Sequence, residues 1–233
     1  MNAIITGATK GMGRAISFAL AAENYDLFIC ARSASELTSL ANELKELNPG
    51  ISVITSVTDC ADLDQVKIFA AHIIKYIDSP DVLVNNAGLF LPSTILNESD
   101  DMLDQQLHVN LLAPHYLCKF FGRKMREKRS GYIFNICSIA SINPVVSAGS
   151  YSVTKFALLG LTKVLREELM EYGVKVTAIL PGSTLTASWE GTTLPKERFV
   201  DPKDIADSLI ACLKTSKGGN IDQLIIRPTL GDI

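Results

Sequence analysis

Tyr151 and Lys155 stand four residues apart in "SYSVTKFALLG" (150–160). The apolar spacing of that stretch reads as a helix, so the phenol and the ammonium share one face. A free tyrosine has a pKa of about 10 and is a poor proton donor or acceptor at neutral pH. A nearby ammonium favours the phenolate, and the pair then suits general acid–base work. Ser138, in "NICSIAS", closes the expected fifth strand. In an open α/β sheet ligands gather at the carboxyl ends of the strands, which puts this hydroxyl where chemistry is expected. Alone, each residue also fits an ordinary role: a packed tyrosine, a solvated lysine, a turn-starting serine. The combination carries the reading.

The elements that must position these side chains alternate along the chain. Short, almost continuously apolar runs at 2–6, 26–31, 51–55, 81–85, 131–137, 174–180 and 222–227 read as strands covered on both faces. Helical patterns fill the intervals at 12–23, 34–47, 62–77, 99–128, 150–172 and 202–214. This predicts an α/β fold: a single-domain, doubly wound parallel sheet of about seven strands, Rossmann-like, with helices on both faces and right-handed crossovers. No linker or repeat divides residues 1–233. The stretch 181–204 is irregular, and connections longer than about 12–15 residues are uncommon unless functional. Its central part, 183–200, is expected to be a substrate loop.

"TGATKGMG" (6–13) joins the first strand to the first helix. Gly7, Gly11 and Gly13 permit a tight turn and close backbone approach to a pyrophosphate, and the helix start offers free N–H groups. A glycine-rich turn without a ligand is the alternative. An acid at the end of the second strand would bind a ribose 2′-hydroxyl and favour NAD. "CARSAS" (30–35) carries Arg32 instead, and a guanidinium suits a 2′-phosphate. Lys10 is a second cation near the same place. Both are also compatible with plain solvated charges; together, with the acid missing, they favour NADP(H).

Composition excludes several classes. A net charge of −3 gives no basic footprint for nucleic acid. No apolar run reaches the roughly 20 residues that span a membrane. No charged leader precedes the first strand, and the five scattered cysteines show neither a CxxC pair nor metal-ligand spacing; they read as reduced thiols of a cytoplasmic protein without a metal.

"TGATKGMG", "NNAG" (85–88), Asn110 in "HVN", Ser138, "YSVTK" and "PG" (181–182) stand in the order and spacing of the short-chain dehydrogenase/reductase family. The chain resembles that family over essentially its whole length. The resemblance implies that Tyr151 donates the proton to a substrate carbonyl and that Ser138 polarises its oxygen. Lys155 would bind the nicotinamide ribose, and Asn110, in the long fourth helix, would position a water of a proton relay. Gly7, Thr9, Lys10, Gly11, Met12, Gly13 and Arg32 would hold the phosphates. Asn85, Ala87 and Gly88 would lie beside the adenosine ribose, with Asn85 also steadying the sheet. Pro181, Gly182, Thr184 and Thr186 would orient the carboxamide. Ser56 and Val57 would touch adenine, although Ser56 replaces the family's longer Asp or Asn. Ala140, Ser138 and Trp189 would face substrate. The tail "LIIRPTLGDI" and Trp189 resemble bacterial sepiapterin reductase-like members.

The expected function is thus hydride transfer from NADPH to a small ketone or pterin-type carbonyl. The competing expectations are a 3-oxoacyl-thioester reductase and a non-catalytic dinucleotide sensor on the same fold. The resemblance also implies a homodimer or homotetramer paired through helices 99–128 and 150–172. In the latter, Phe156, Leu159, Lys163, Arg166 and Glu167 would face outward and Ala157, Leu158, Leu161 and Leu165 would cover the sheet. Trp189 is expected either to fold over the nicotinamide as a lid or to anchor its loop to the subunit surface.

Overall fold

The computed structural model describes residues 1–186, 189 and 191–233. Seven parallel strands form one sheet: β1 (Asn2–Thr6), β2 (Asp26–Ala31), β3 (Val53–Val57), β4 (Val82–Asn85), β5 (Gly131–Ile136), β6 (Val174–Pro181) and β7 (Gln223–Ile226). Their spatial order is β3-β2-β1-β4-β5-β6-β7. The order reverses after β1, and that switch point opens a crevice at the carboxyl edge. The helices are α1 (Gly11–Ala22), α2 (Ala34–Leu47), α3 (Leu63–Ile73), α4 (Met102–Leu107), α5 (Ala113–Lys128), α6 (Gly149–Leu169) and α7 (Pro202–Leu213).

Strand side chains alternate between two cores, as the period of two requires. Ile5 and Ile29 pack under α1, α2 and α7, with Ile16, Leu37 and Leu209. Ile4 and Phe28 pack on the other face under α3 and α5, with Phe69 and Phe121. Each strand is therefore apolar on both sides, which is why the runs read as continuous.

Three differences from the sequence expectation bear on the site. β3 begins at Val53 rather than 51, so its carboxyl end delivers Thr58 and Asp59 to the crevice. α3 starts behind Asp62, whose carboxylate accepts the backbone N–H of Asp64 and Gln65, and it ends at Ile73. The helix expected over 99–128 is broken by a π turn at His108–Leu112. Pro114, in the first turn of α5, has no N–H to give the Asn110 carbonyl, so the α ladder cannot run through.

Along α6, Phe156 and Lys163 are exposed, as expected of an outward strip, but Leu159 is 5% exposed and joins Leu158, Ala178 and Leu180 in a small core over β6. Leu161 and Leu165 are only half-buried. Among the described residues, no helix is long and apolar enough to cross a membrane.

Candidate active site

A cavity of about 860 Å³ runs along the carboxyl edge of the sheet, from the β1–α1 turn past Arg32 to Tyr151 and Lys155. The β1–α1 turn forms its floor. Gly7 and Gly11 have φ of +64° and +50°, a region that costs glycine nothing. Lys10 occupies the N-cap of α1 without a side-chain bond to the helix, so the first N–H groups of α1 are left for a ligand. Gly13 acts differently. A Cβ there would meet the Gly7 carbonyl oxygen at 2.2 Å and Asn86 Nδ2 at 2.4 Å. It is a packing glycine beneath the turn and does not line the cavity.

The loop after β4 is laced to that turn. Asn86 Nδ2 donates to the carbonyls of Thr6 and Gly7, each at 2.9 Å, and Thr6 Oγ1 accepts the N–H groups of Asn86 and Ala87, each at 3.0 Å. Asn86, Ala87 and Gly88 line the cavity, whereas Asn85 does not. Asn85 is 2% exposed and points into the core, where its Nδ2 donates to Asn135 Oδ1 at 2.8 Å and to Cys118 Sγ at 3.1 Å. Only the sheet-steadying half of its expected role is met.

At the opposite wall Arg32 and Lys10 face the cavity together with an acid that the sequence reading did not count. Glu36, in the first turn of α2, takes Lys10 Nζ at 2.9 Å and the Thr9 hydroxyl at 3.0 Å. Lys10 first, then Thr9, hold its carboxyl below the usual carboxylate range. The wall beyond is Thr58, Asp59, Cys60 and Ala61; Ser56 and Val57, the expected adenine contacts, are not among the lining residues. The later start of β3 explains the shift. Ser56 Oγ instead lies 3.2 Å from Thr58 Oγ1.

At the chemical end Lys155 is 4% exposed, and its Nζ donates to the Ile136 carbonyl at 2.9 Å. That ammonium lies 5.6 Å from the centre of the Tyr151 ring. A buried ammonium has three N–H donors, and one acceptor among the described residues leaves two for a ligand. Phe90 meets Tyr151 edge to face, centroids 4.9 Å apart, and both line the cavity. Asn110 is fully buried in the π turn. Its Oδ1 accepts the Leu89 N–H at 2.8 Å, and its Nδ2 donates to the Leu89 carbonyl at 2.9 Å and to Thr154 Oγ1 at 3.0 Å. A Cβ on Gly88 would touch both Asn110 Oδ1 (3.6 Å) and Lys155 Nζ (3.8 Å), so the two polar groups flank one small space.

Ser138 caps the short turn Ile139–Ser141. Its Oγ accepts the Ala140 N–H at 3.1 Å, and its N–H donates to Ser141 Oγ at 3.2 Å. Ser138 and Ala140, both expected to face substrate, lie outside the lining; Ser138 is half-buried and Ala140 is 2% exposed.

The family follows from residues 1–196, which match the model of the short chain dehydrogenases. The chain belongs to the short chain dehydrogenase family. An uncharacterized oxidoreductase of Staphylococcus aureus (strain N315) is 31% identical over 226 residues, covering 97% of this chain and 96% of the relative. Among solved structures, the alcohol dehydrogenase of the archaeon Thermococcus sibiricus, complexed with 5-hydroxy-NADP, aligns with a TM-score of 0.89 at 28% identity, over 97% of this chain and 96% of that one. The L-sorbose reductase of Gluconobacter frateurii, complexed with NADPH and L-sorbose, aligns with a TM-score of 0.89 at 25% identity, over 97% and 94%.

In this short chain dehydrogenase the segment after β6 divides its duties. Thr186 lines the cavity, and its Cγ2 lies 3.0 Å from where a Gly11 Cβ would stand. Pro181, Gly182 and Thr184 do not line it. The Gly182 N–H bonds the Ile226 carbonyl at 2.7 Å, and a Cβ there would strike Asp232; Thr184 is 5% exposed, with its hydroxyl on the Gly182 carbonyl. Trp189 stands edge-on to the buried Phe199, centroids 4.9 Å apart, and is not part of the cavity wall. A tryptophan and a phenylalanine ten residues apart can meet only if the chain reverses, and the Val200 N–H to Ser183 carbonyl and Leu185 N–H to Val200 carbonyl bonds close that reversal.

The reading of the sequence missed Glu36, Asn86, Phe90 and the Thr58–Ala61 wall. Only Asn86 carried a signal: strand alternation turns one asparagine of "NNAG" into the sheet and leaves the next at its edge.

Proposed function

We propose that this oxidoreductase is an NADPH-dependent carbonyl reductase acting on a small ketone. The observation that carries the reading is the single cavity with Lys10 and Arg32 at one end and Tyr151 and Lys155 at the other. Its features fit a phosphorylated dinucleotide: the open start of α1, two cations, and a buried ammonium with spare donors. Neighbouring structures complexed with NADP or NADPH support the same cofactor. Bound NADPH supplies the hydride.

The chain's own residues do the rest. The Tyr151 phenol gives its proton to the carbonyl oxygen as negative charge develops there. Lys155, held by the Ile136 carbonyl, places its charge beside the phenol and keeps two donors for ribose hydroxyls. Ser138 Oγ accepts the Ala140 N–H and keeps its own O–H to donate to the same carbonyl oxygen. Asn110 fixes Leu89 and Thr154, and with them the two segments that carry Gly88 and Tyr151. The loop 183–200, pinned at its base by Val200 and at Trp189 by Phe199, presents the substrate-selecting side chains. The exposed Val153 and Phe156 of α6 and Leu112 beside α5 support pairing of these helices with a second copy.

Following NADPH oxidation against diketones, sugar ketones, pterins, quinones and 3-oxoacyl thioesters tests the reading. Turnover of a small ketone, abolished in Tyr151→Phe with cofactor binding intact, is expected. Binding of NADPH without turnover of any carbonyl, in protein whose Tyr151→Phe form behaves identically, would overturn it.

A further inference from the structure

Glu36 stands where a cofactor phosphate would be expected to meet only cations. It lines the cavity with Thr9, Lys10 and Arg32. Its carboxylate holds two side chains of the phosphate turn, Lys10 Nζ at 2.9 Å and the Thr9 hydroxyl at 3.0 Å. Arg32 is exposed and makes no ion pair among the described residues. One cation of the pair is thus open to a ligand, and the other is already engaged by an acid of the protein.

The local sequence shows that this carboxylate is diverted. "SASE" (33–36) has the spacing of a capping box, in which the N-cap hydroxyl accepts the N–H of the third helical residue and the acid there reaches back to the N-cap N–H. Half of the box is made: Ser33 Oγ accepts the Glu36 N–H at 3.3 Å. The other half is not. The carboxylate turns to Lys10 and Thr9, and the Ser33 N–H finds no backbone acceptor among the described residues. Glu36 therefore has two seats, the cation of the phosphate turn and the amide at the start of its own helix, where the positive end of α2 also favours an anion.

We propose that Glu36 is a specificity-determining residue that competes with the 2′-phosphate of NADPH for Lys10 and Thr9. The arriving phosphate takes the ammonium and the hydroxyl, and the displaced carboxylate completes the capping box at Ser33. NADH carries a hydroxyl at that place and leaves the Lys10–Glu36 pair intact. On Lys10 the exchange replaces one anion by another, so Arg32 alone adds its full attraction. Glu36 holds NADPH affinity, and the preference over NADH, below what two unengaged cations would give.

The proposal rests on the cofactor reading above, and titrations of NADPH and NADH against the full-length protein, Glu36→Gln, Lys10→Ala and the double variant separate the two. Glu36→Gln keeps the shape and an acceptor oxygen and removes the charge. NADPH should then bind roughly three- to tenfold tighter, the scale of a phosphate beside a solvent-screened carboxylate, with NADH changed by less than about twofold. The gain should shrink as salt is raised and largely disappear when the same change is made on Lys10→Ala, where no ammonium is left to contest. An undiminished gain on Lys10→Ala would mean repulsion through space and would overturn the competition. So would equal tightening of NADPH and NADH, or NADPH affinity unchanged or weakened in Glu36→Gln while the parent still prefers NADPH; the cofactor reading would survive each of these. A parent protein that binds NADH but not NADPH would overturn the reading and the proposal together.

Discussion

Alanine at Gly13 tests whether this glycine serves packing. Its Cβ would stand 2.2 Å from the Gly7 carbonyl oxygen and 2.4 Å from Asn86 Nδ2, against the 3.5–4.0 Å or so of relaxed contact. Gly7 cannot yield without dragging a backbone at φ +64°, and Asn86 cannot yield without loosening its bonds to Thr6 and Gly7. Overpacking of this kind costs about 1–3 kcal/mol. One lost buried hydrogen bond adds about 1 kcal/mol. The better helix preference of alanine returns about 1 kcal/mol. The net is a destabilisation of about 1–3 kcal/mol, which lowers the Tm of a domain this size by about 2–12 °C. Thermal unfolding followed by circular dichroism measures it. Gly218→Ala, where the added Cβ meets nothing within 4 Å, is the control and should stay within about 0.5 kcal/mol of the parent. Because the distorted turn also forms the cavity floor, Gly13→Ala should weaken NADPH binding as well. A midpoint equal to or above that of the parent would refute the argument that Gly13 is excluded from bearing a side chain.

Other outcomes follow from the same geometry. Arg32→Asp should reverse the cofactor preference from NADPH to NADH in titrations of both; equal affinities in the unmodified protein would contradict the assignment. Tyr151→Phe keeps the ring against Phe90 and removes only the proton, so turnover should fall about 10²–10⁴-fold with the dissociation constant of NADPH nearly unchanged. Trp189→Ala loses the edge-on contact with Phe199 and should cost about 0.5–1.5 kcal/mol beyond area burial in thermal melts; tryptophan emission that shifts strongly on NADPH binding would instead return the indole to the cavity. Phe156→Arg should split the proposed oligomer, with light scattering moving to the 25.3 kDa of one chain; unchanged mass would mean α6 is not the pairing face.

Much of this molecule was legible in its linear order. Strands buried on both faces must be continuously apolar, helices between them must carry a 3.6-residue stripe, and that alternation leaves a parallel, doubly wound sheet as its consistent arrangement. Tyr151 and Lys155 were legible because a helix fixes the four-residue relation locally, and Gly7 and Gly11 because a positive φ selects for glycine within one turn. What the sequence left undecided are relations between distant segments. Glu36 reached the cation cluster only because α2 starts beside the β1–α1 turn. Gly13 and Asn85 were read as cofactor contacts, yet packing of the β4 loop against that turn put both behind the cavity wall. Trp189 could meet any surface by composition alone, and chain reversal at Ser183 and Val200 sets it on Phe199. Local conformation is fixed by short-range sterics and periodicity, whereas side-chain partners across the sheet are chosen by topology, which no single segment encodes.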